Sequence, residues 1–177
     1  GDEYDSAFFE KIPKCWSYRP WGAILTSVEH DHVDIYPDME RYRDAFRGFV
    51  SRIAPDGVLV AHGRDAEVRD IARRASCRVV HYGLTTDSYP DGFVPEWMAA
   101  PIAPTDGVQP FELFLGGSCA GRFFTPLMGE HNLRNAVASI ALLAEGFNLP
   151  VTQLAKALLD FKGVKRRQEL VATAGGV

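Results

Sequence analysis

The sequence predicts a three-layer α/β domain, a mostly parallel sheet flanked by helices with a small antiparallel subsheet attached. Three observations carry this. Short apolar runs of strand length alternate with segments of helical periodicity through the first half, an order that gives a parallel sheet covered by helices. A stretch punctuated by Pro90, Pro95, Pro101, Pro104 and Pro110 then breaks that periodicity and leads into a hairpin signature. Two amphipathic helical segments close the chain. At 177 residues, with 46% hydrophobic and 24% charged residues, the chain has the composition of one globular soluble domain with a real core.

Each element has its own warrant. Residues 22–27 are a short apolar run of strand type, followed at once by the polar segment Val28-Glu29-His30-Asp31-His32-Val33-Asp34. Pro37-Asp38 opens a helix over 38–53, with Tyr42, Phe46, Phe49, Val50 and Ile53 at helical spacing. Pro55-Asp56-Gly57 is a turn, and Val58-Leu59-Val60-Ala61 a second strand. A helix over 65–75 and a strand over 77–82 complete the β-α-β-α-β pattern. Phe111-Glu112-Leu113-Phe114-Leu115, then Gly116-Gly117-Ser118, then a second apolar run to Phe124 form the hairpin, within an antiparallel subsheet over about 91–127. Helices at about 131–146 and 151–161 follow. Val137, Ile140, Ala141 and Ala144 stripe the first; Leu154, Ala155, Leu158 and Leu159 stripe the second.

Charge and cysteine content exclude several classes. A formal charge of −4 gives no electrostatic case for nucleic acid as the main partner. No apolar stretch approaches the ~20 residues that span a bilayer, so no membrane partner is expected. Cys15, Cys77 and Cys119 are odd in number, widely spaced and without metal-type spacing, as in a reduced, cytoplasmic protein. The chain starts at Gly1 without Met and stops at Ala174-Gly175-Gly176-Val177, which reads as a piece of a longer protein.

Four segments carry chemistry. The run Gly129-Glu130-His131-Asn132-Leu133-Arg134-Asn135 opens a helix on which His131, Asn132 and Asn135 share a face near the first turn. Their donors and acceptors suit a flat heterocycle; equally, Glu130 favours a helix start and the others could face water. The loop 29–34 follows a strand, where ligands of parallel sheets bind, and its imidazoles and carboxylates could hold a divalent cation or polarise an amine. It could also be a polar loop that caps the next helix. Lys165-Arg166-Arg167 offers phosphate-binding forks or merely favourable charge at a helix end. Asp2-Glu3-Tyr4-Asp5 is either a contact for a metal or cationic substrate or the cap of a helix starting near Ala7-Phe8-Phe9. No Gly-x-x-x-x-Gly-Lys-Ser/Thr loop occurs in the chain.

Taken in order, these segments resemble the central, ATP-binding domain of the Mur ligases, which join amino acids or peptides to UDP-N-acetylmuramic acid. The resemblance rests on Asp2-Glu3-Tyr4-Asp5, Asp31-His32-Val33-Asp34, the Gly-x-His-Asn-x-x-Asn run at 129–135 and Arg166-Arg167, and covers essentially the whole chain, 1–177, as a partial central domain. Within the family, the acidic start, Tyr18-x-Pro20 and the Arg-Arg-x-Glu tail resemble the murein peptide ligases. These join L-alanyl-γ-D-glutamyl-meso-diaminopimelate to UDP-N-acetylmuramate in murein recycling. The L-alanine-adding ligases are the alternative, and a non-catalytic α/β interaction domain is the rival outside the family; folylpolyglutamate synthase shares the architecture.

The resemblance implies ATP and Mg²⁺ as cofactors and an acyl-phosphate intermediate. By position, His32 matches the magnesium-binding His and also a catalytic role. His131, Asn132 and Asn135 match the adenine-binding run, and Arg167 the γ-phosphate contact. Glu3 and Asp31 are candidate substrate contacts. Phe46 stands where some relatives carry a carbamylated Lys, a trait shared with the members that act on free UDP-N-acetylmuramate. The resemblance places the N-terminal UDP-binding domain and the phosphate loop before Gly1 and the C-terminal domain after Val177, so the chain alone is expected to be inactive.

Overall fold

A computed structural model describes residues 12–161, 163 and 164. Six strands form a single sheet in the order β1-β2-β3-β4-β5-β6: Gly22–Leu25, Val58–His62, Arg78–Leu84, Trp97–Pro101, Gln109–Leu115 and Ser118–Thr125. β1 to β4 run parallel, with Ile24 opposite Val60, Val60 opposite Val80 and Leu84 opposite Ala99. β4, β5 and β6 then pair antiparallel. The antiparallel subsheet is therefore continuous with the parallel strands rather than set apart from them. β4 makes the join, parallel to β3 on one edge and antiparallel to β5 on the other.

Side-chain alternation along β2 divides the core in two. Leu59 and Ala61 face the helices Met39–Val50 (α1) and Ala66–Ala72 (α2), in a cluster with Tyr42, Ala45, Val50, Val68 and Ile71. Val58 and Val60 face Glu130–Phe147 (α3) and Val151–Asp160 (α4), packing with Val80, Trp97, Leu133, Val137, Ile140 and Leu154. All four residues from Val58 to Ala61 are buried. That is why this strand reads as a continuous apolar run instead of an alternating one. Helices on both faces make the three layers.

Local chemistry fixes the ends of these elements. The Asp38 carboxylate accepts the Arg41 N–H at 2.8 Å and starts α1. Asp65 accepts the Glu67 and Val68 N–H groups at 2.8 and 3.2 Å and starts α2. At the turn before β2, a Cβ on Gly57 would lie 2.0 Å from the Trp21 carbonyl oxygen, the same oxygen that accepts the Val58 N–H at 2.9 Å. Only glycine lets β1 and β2 meet there. α3 ends on Asn148 in the left-handed region at φ 53°, and Pro150 separates it from α4.

β4 has no counterpart in the periodicity, because prolines before and after it obscure five residues of strand. Its burial explains its place: Trp97 and Ala99 are inside the core, and the Trp97 indole N–H donates to Glu145 on α3 at 2.9 Å. Arg78 reaches the same carboxylate at 2.6 Å. No described helix is long and apolar enough to cross a membrane. The helix expected near residues 7–9 lies outside the described residues.

Candidate functional site

The parallel strands β1, β2 and β3 all end at one rim of the sheet, and the first turn of α3 stands over that rim. Between them lies a cavity of about 430 Å³. Thr26, Ser27 and Glu29 line it from the loop after β1, and His62, Arg64 and Asp65 from the end of β2. Tyr82 contributes from β3, and His131, Arg134 and Asn135 from α3. A second cavity of about 490 Å³ adjoins it across Thr26, Ser27 and Glu29 and is bounded further by His30, Asp31, Tyr42 and Phe46. Crevices at the carboxyl ends of parallel strands are where α/β sheets bind ligands. The first cavity has the convergent polar groups such a site needs.

His131 and Asn135 are one helical turn apart and face the first cavity together, as their spacing predicts. Asn132 is placed differently. Its side-chain amide turns back to donate to the Met128 carbonyl at 2.8 Å, bracing the loop before α3, and it does not line the cavity. Gly129 supplies no side-chain cap, and its φ of 92° lies where glycine is favoured.

The loop after β1 is built rather than slack. The Val28 N–H donates to Asp65 at 3.3 Å, so the carboxylate that caps α2 also ties down this loop. The backbone is not extended through the two histidines, so their spacing does not by itself put them on one face. His30 uses Nε2 to donate to the Tyr36 carbonyl at 2.9 Å, and its ring packs on Tyr42. His32 sits in the left-handed region at φ 54°, where its carbonyl accepts the N–H groups of Ile35 and Tyr36. Asp31 lines the second cavity and accepts the His32 N–H at 2.7 Å; His32 lines neither cavity. Phe46 lines the second cavity beside Tyr42, with no charge to offer.

Sequence reasoning missed the charged centre beneath this rim. Asp87, just after β3, has a side chain only 1% exposed. It accepts the Arg134 Nε–H at 3.3 Å and a second bond from the Arg134 Nη2 group, in a two-pronged grip. The Leu84 N–H donates to it at 3.0 Å, and the Arg64 guanidinium stands 3.5 Å away. Burial pushes the Asp87 carboxyl up, but Arg134 and the Leu84 N–H outweigh that and hold it below the usual carboxylate range. His62 lies alongside, its Nε2 3.8 Å from Asp87. Its Nδ1 is 3.1 Å from the Thr26 carbonyl, which can only accept, so Nδ1 carries the proton. Nε2 is then a buried lone pair with no hydrogen-bond partner among the described residues. Burial lowers the His62 pKa, and the nearby Asp87 only partly restores it. The available signal was position: Thr85-Thr86-Asp87 follows a predicted strand, and Arg134 sits inside the recognised run.

Among the described residues no group of three or more His, Cys, Asp or Glu side chains could hold a metal ion. Asp31 and Glu29 offer oxygen donors near His32, at most a minority of an octahedral magnesium set that phosphate oxygens and water would have to complete. Glu3 and Arg167 lie outside the described residues.

A family profile for the Mur ligase middle domain matches residues 6–143. The chain belongs to that family. It is 32% identical to the UDP-N-acetylmuramate–L-alanine ligase of Alkaliphilus metalliredigens over 94% of its own length and 35% of that protein's. It is similar in structure to UDP-N-acetylmuramate:L-alanyl-γ-D-glutamyl-meso-diaminopimelate ligase from Neisseria meningitides. That likeness has a TM-score of 0.77 and 34% identity, and covers 93% of this chain and 47% of the other. The MurF ligase of Thermotoga maritima, solved in complex with ADP, shares the fold at a TM-score of 0.64 and 16% identity, over 85% of this chain and 32% of that one. The chain thus spans about a third to a half of the length of these Mur ligases. The architecture predicted from the sequence is the family's own.

Proposed function

We propose that this domain supplies the nucleotide-facing side of an ATP-dependent ligase that joins L-alanyl-γ-D-glutamyl-meso-diaminopimelate to UDP-N-acetylmuramate. The observation that carries the reading is the joint presentation of His131 and Asn135 into the cavity at the strand ends. An Asn amide offers a donor and an acceptor side by side, and an imidazole adds a flat face and a ring nitrogen, which together suit the edge and plane of adenine. Asn132 supports this surface from behind, by holding the loop that precedes α3.

The chemistry follows the family's acyl-phosphate route. The γ-phosphoryl group passes from ATP to a muramoyl carboxylate oxygen, and ADP leaves. The incoming amine then attacks the acyl carbon; the C–N bond forms, the C–O bond to phosphate breaks, and the amine gives up a proton. Magnesium, when bound, would neutralise charge on the phosphate oxygens. Asp31 and His32, in the loop braced by Asp65, are the residues of this chain that would lie on the cation side, and Arg167 would meet the γ-phosphate. Glu3 would contact the substrate. The cytoplasm, where ATP is abundant, is the compartment this reading requires.

One observation favours a second reading. The L-alanine ligase of Alkaliphilus metalliredigens is about as similar to this chain as the tripeptide ligase, so L-alanine is the alternative acceptor. Competition in the full-length protein separates them. With ATP and UDP-N-acetylmuramate, the proposal expects a higher kcat/KM for tripeptide than for L-alanine. A strong preference for L-alanine would assign the domain to the second class.

A further inference from the structure

We propose that Asp87 is a positioning residue for the nucleotide-facing turn of α3, acting through Arg134. The inference rests on the nucleotide reading of that turn and adds a device that sets its geometry.

α3 begins without the usual anchor. Its N-cap is Gly129, which offers no side chain to the first-turn N–H groups. The turn is instead held from its flank. Arg134, three residues after His131 and one before Asn135, is gripped by Asp87 through Nε and Nη2. Glu130 accepts from Arg134 at 2.9 Å and from the Thr86 hydroxyl at 3.2 Å, so the loop after β3 meets the helix twice.

Asp87 is itself immobilised. The Leu84 N–H donates to it, and the Tyr89 hydroxyl, which donates to the Leu84 carbonyl at 2.8 Å, stands 3.4 Å away. Tyr89 folds back over Gly83, where a Cβ would lie 2.0 Å from its hydroxyl. The position of Asp87 relative to β3 is therefore fixed by the backbone, and α3 is registered against it. At 1% exposure Asp87 cannot touch a ligand in the cavity. Arg134, at 15%, lines the cavity wall. A displacement of about 1 Å in a binding group is enough to weaken a site, so this clamp governs how His131 and Asn135 are presented.

The test is calorimetric binding of ADP to the full-length protein, below its unfolding temperature, with thermal stability recorded separately. Asn135→Ala reports on the nucleotide reading itself. Asp87→Asn, Arg134→Met and their double variant report on the clamp. The proposal expects Asn135→Ala to weaken binding. It expects Asp87→Asn to raise the Kd of folded protein roughly three- to thirty-fold, the range by which residues without ligand contact modulate affinity. The double variant should bind no more weakly than Arg134→Met alone, since both changes break one path. If Asp87→Asn fails to fold, Arg134→Met decides the matter: it must raise the Kd. Lowered stability with wild-type Kd in both single variants would make the pair merely structural and overturn the proposal. Additive losses in the double variant would overturn the route through Arg134. If Asn135→Ala leaves ADP affinity unchanged, the nucleotide reading falls, and the clamp proposal with it.

Discussion

The carboxylate of Asp87 and the guanidinium of Arg134 meet in a two-pronged ion pair, 47 residues apart in sequence, with the acid almost fully buried. The pair joins the end of the third strand to the first turns of α3. Hydrogen bonds to ionised groups in such surroundings are stronger than neutral ones. The cost of losing one partner is correspondingly large, because the other is left charged and buried.

Asp87→Ala should therefore destabilise the domain by about 3–5 kcal/mol at neutral pH, the range for breaking a buried pair. The pH dependence has a definite sign. The folded carboxyl titrates below its ordinary value of 3.8, so its contribution is full above that value and is lost as pH falls through the folded pKa. Urea denaturation of wild type and variant should show a gap that is constant near neutrality and closes on acidification. A gap that stayed the same down to about pH 3 would contradict the assignment of charge.

His62 adds a loss of stability in the same direction, setting in from a higher pH. Its folded pKa lies below the ordinary 6.5, because burial disfavours the imidazolium. As pH falls below 6.5 the unfolded chain takes up the proton first, so stability declines until the folded pKa is passed. His62→Phe keeps a ring against Tyr82 and removes the titration. Its urea midpoint should change less between about pH 7.5 and pH 5 than that of wild type. Equal changes in the two proteins would show that His62 is not buried as described.

Gly57 gives a purely steric prediction. A methyl group there would sit 2.0 Å from the Trp21 carbonyl oxygen, which is backbone and cannot swing aside. Gly57→Ala should cost about 3 kcal/mol or more, at the upper end for overpacking, by forcing β1 and β2 apart. A midpoint within error of wild type would mean that the contact between the strands is looser than this.

The regular parts of this fold were legible because each obeyed one rule. Val58-Leu59-Val60-Ala61 is apolar throughout because it is covered on both faces, and Asp38 and Asp65 cap the helices that follow them. β4 was illegible because its five residues lie among prolines and are held by neighbours distant in sequence. The site divides in the same way. His131 and Asn135 follow from helical spacing, whereas the retreat of Asn132 to Met128 depends on how the loop before α3 folds. His30 and His32, two apart, share a face only in an extended segment, and the chain turns at His32 instead. Asp87 and His62 are brought together by the sheet from the ends of β3 and β2, which no local pattern encodes.

In the proposed function, the first turn of α3 is the adenine-facing side of an ATP site. Calorimetric titration of ATP into the full-length protein carrying His131→Ala and Asn135→Ala measures what that turn contributes. The expected result is a loss of affinity of at least roughly tenfold, about 1.4 kcal/mol, in a protein that unfolds at the wild-type temperature. Unchanged ATP affinity in that doubly substituted protein would contradict it and favour a non-catalytic domain whose polar first turn only faces water.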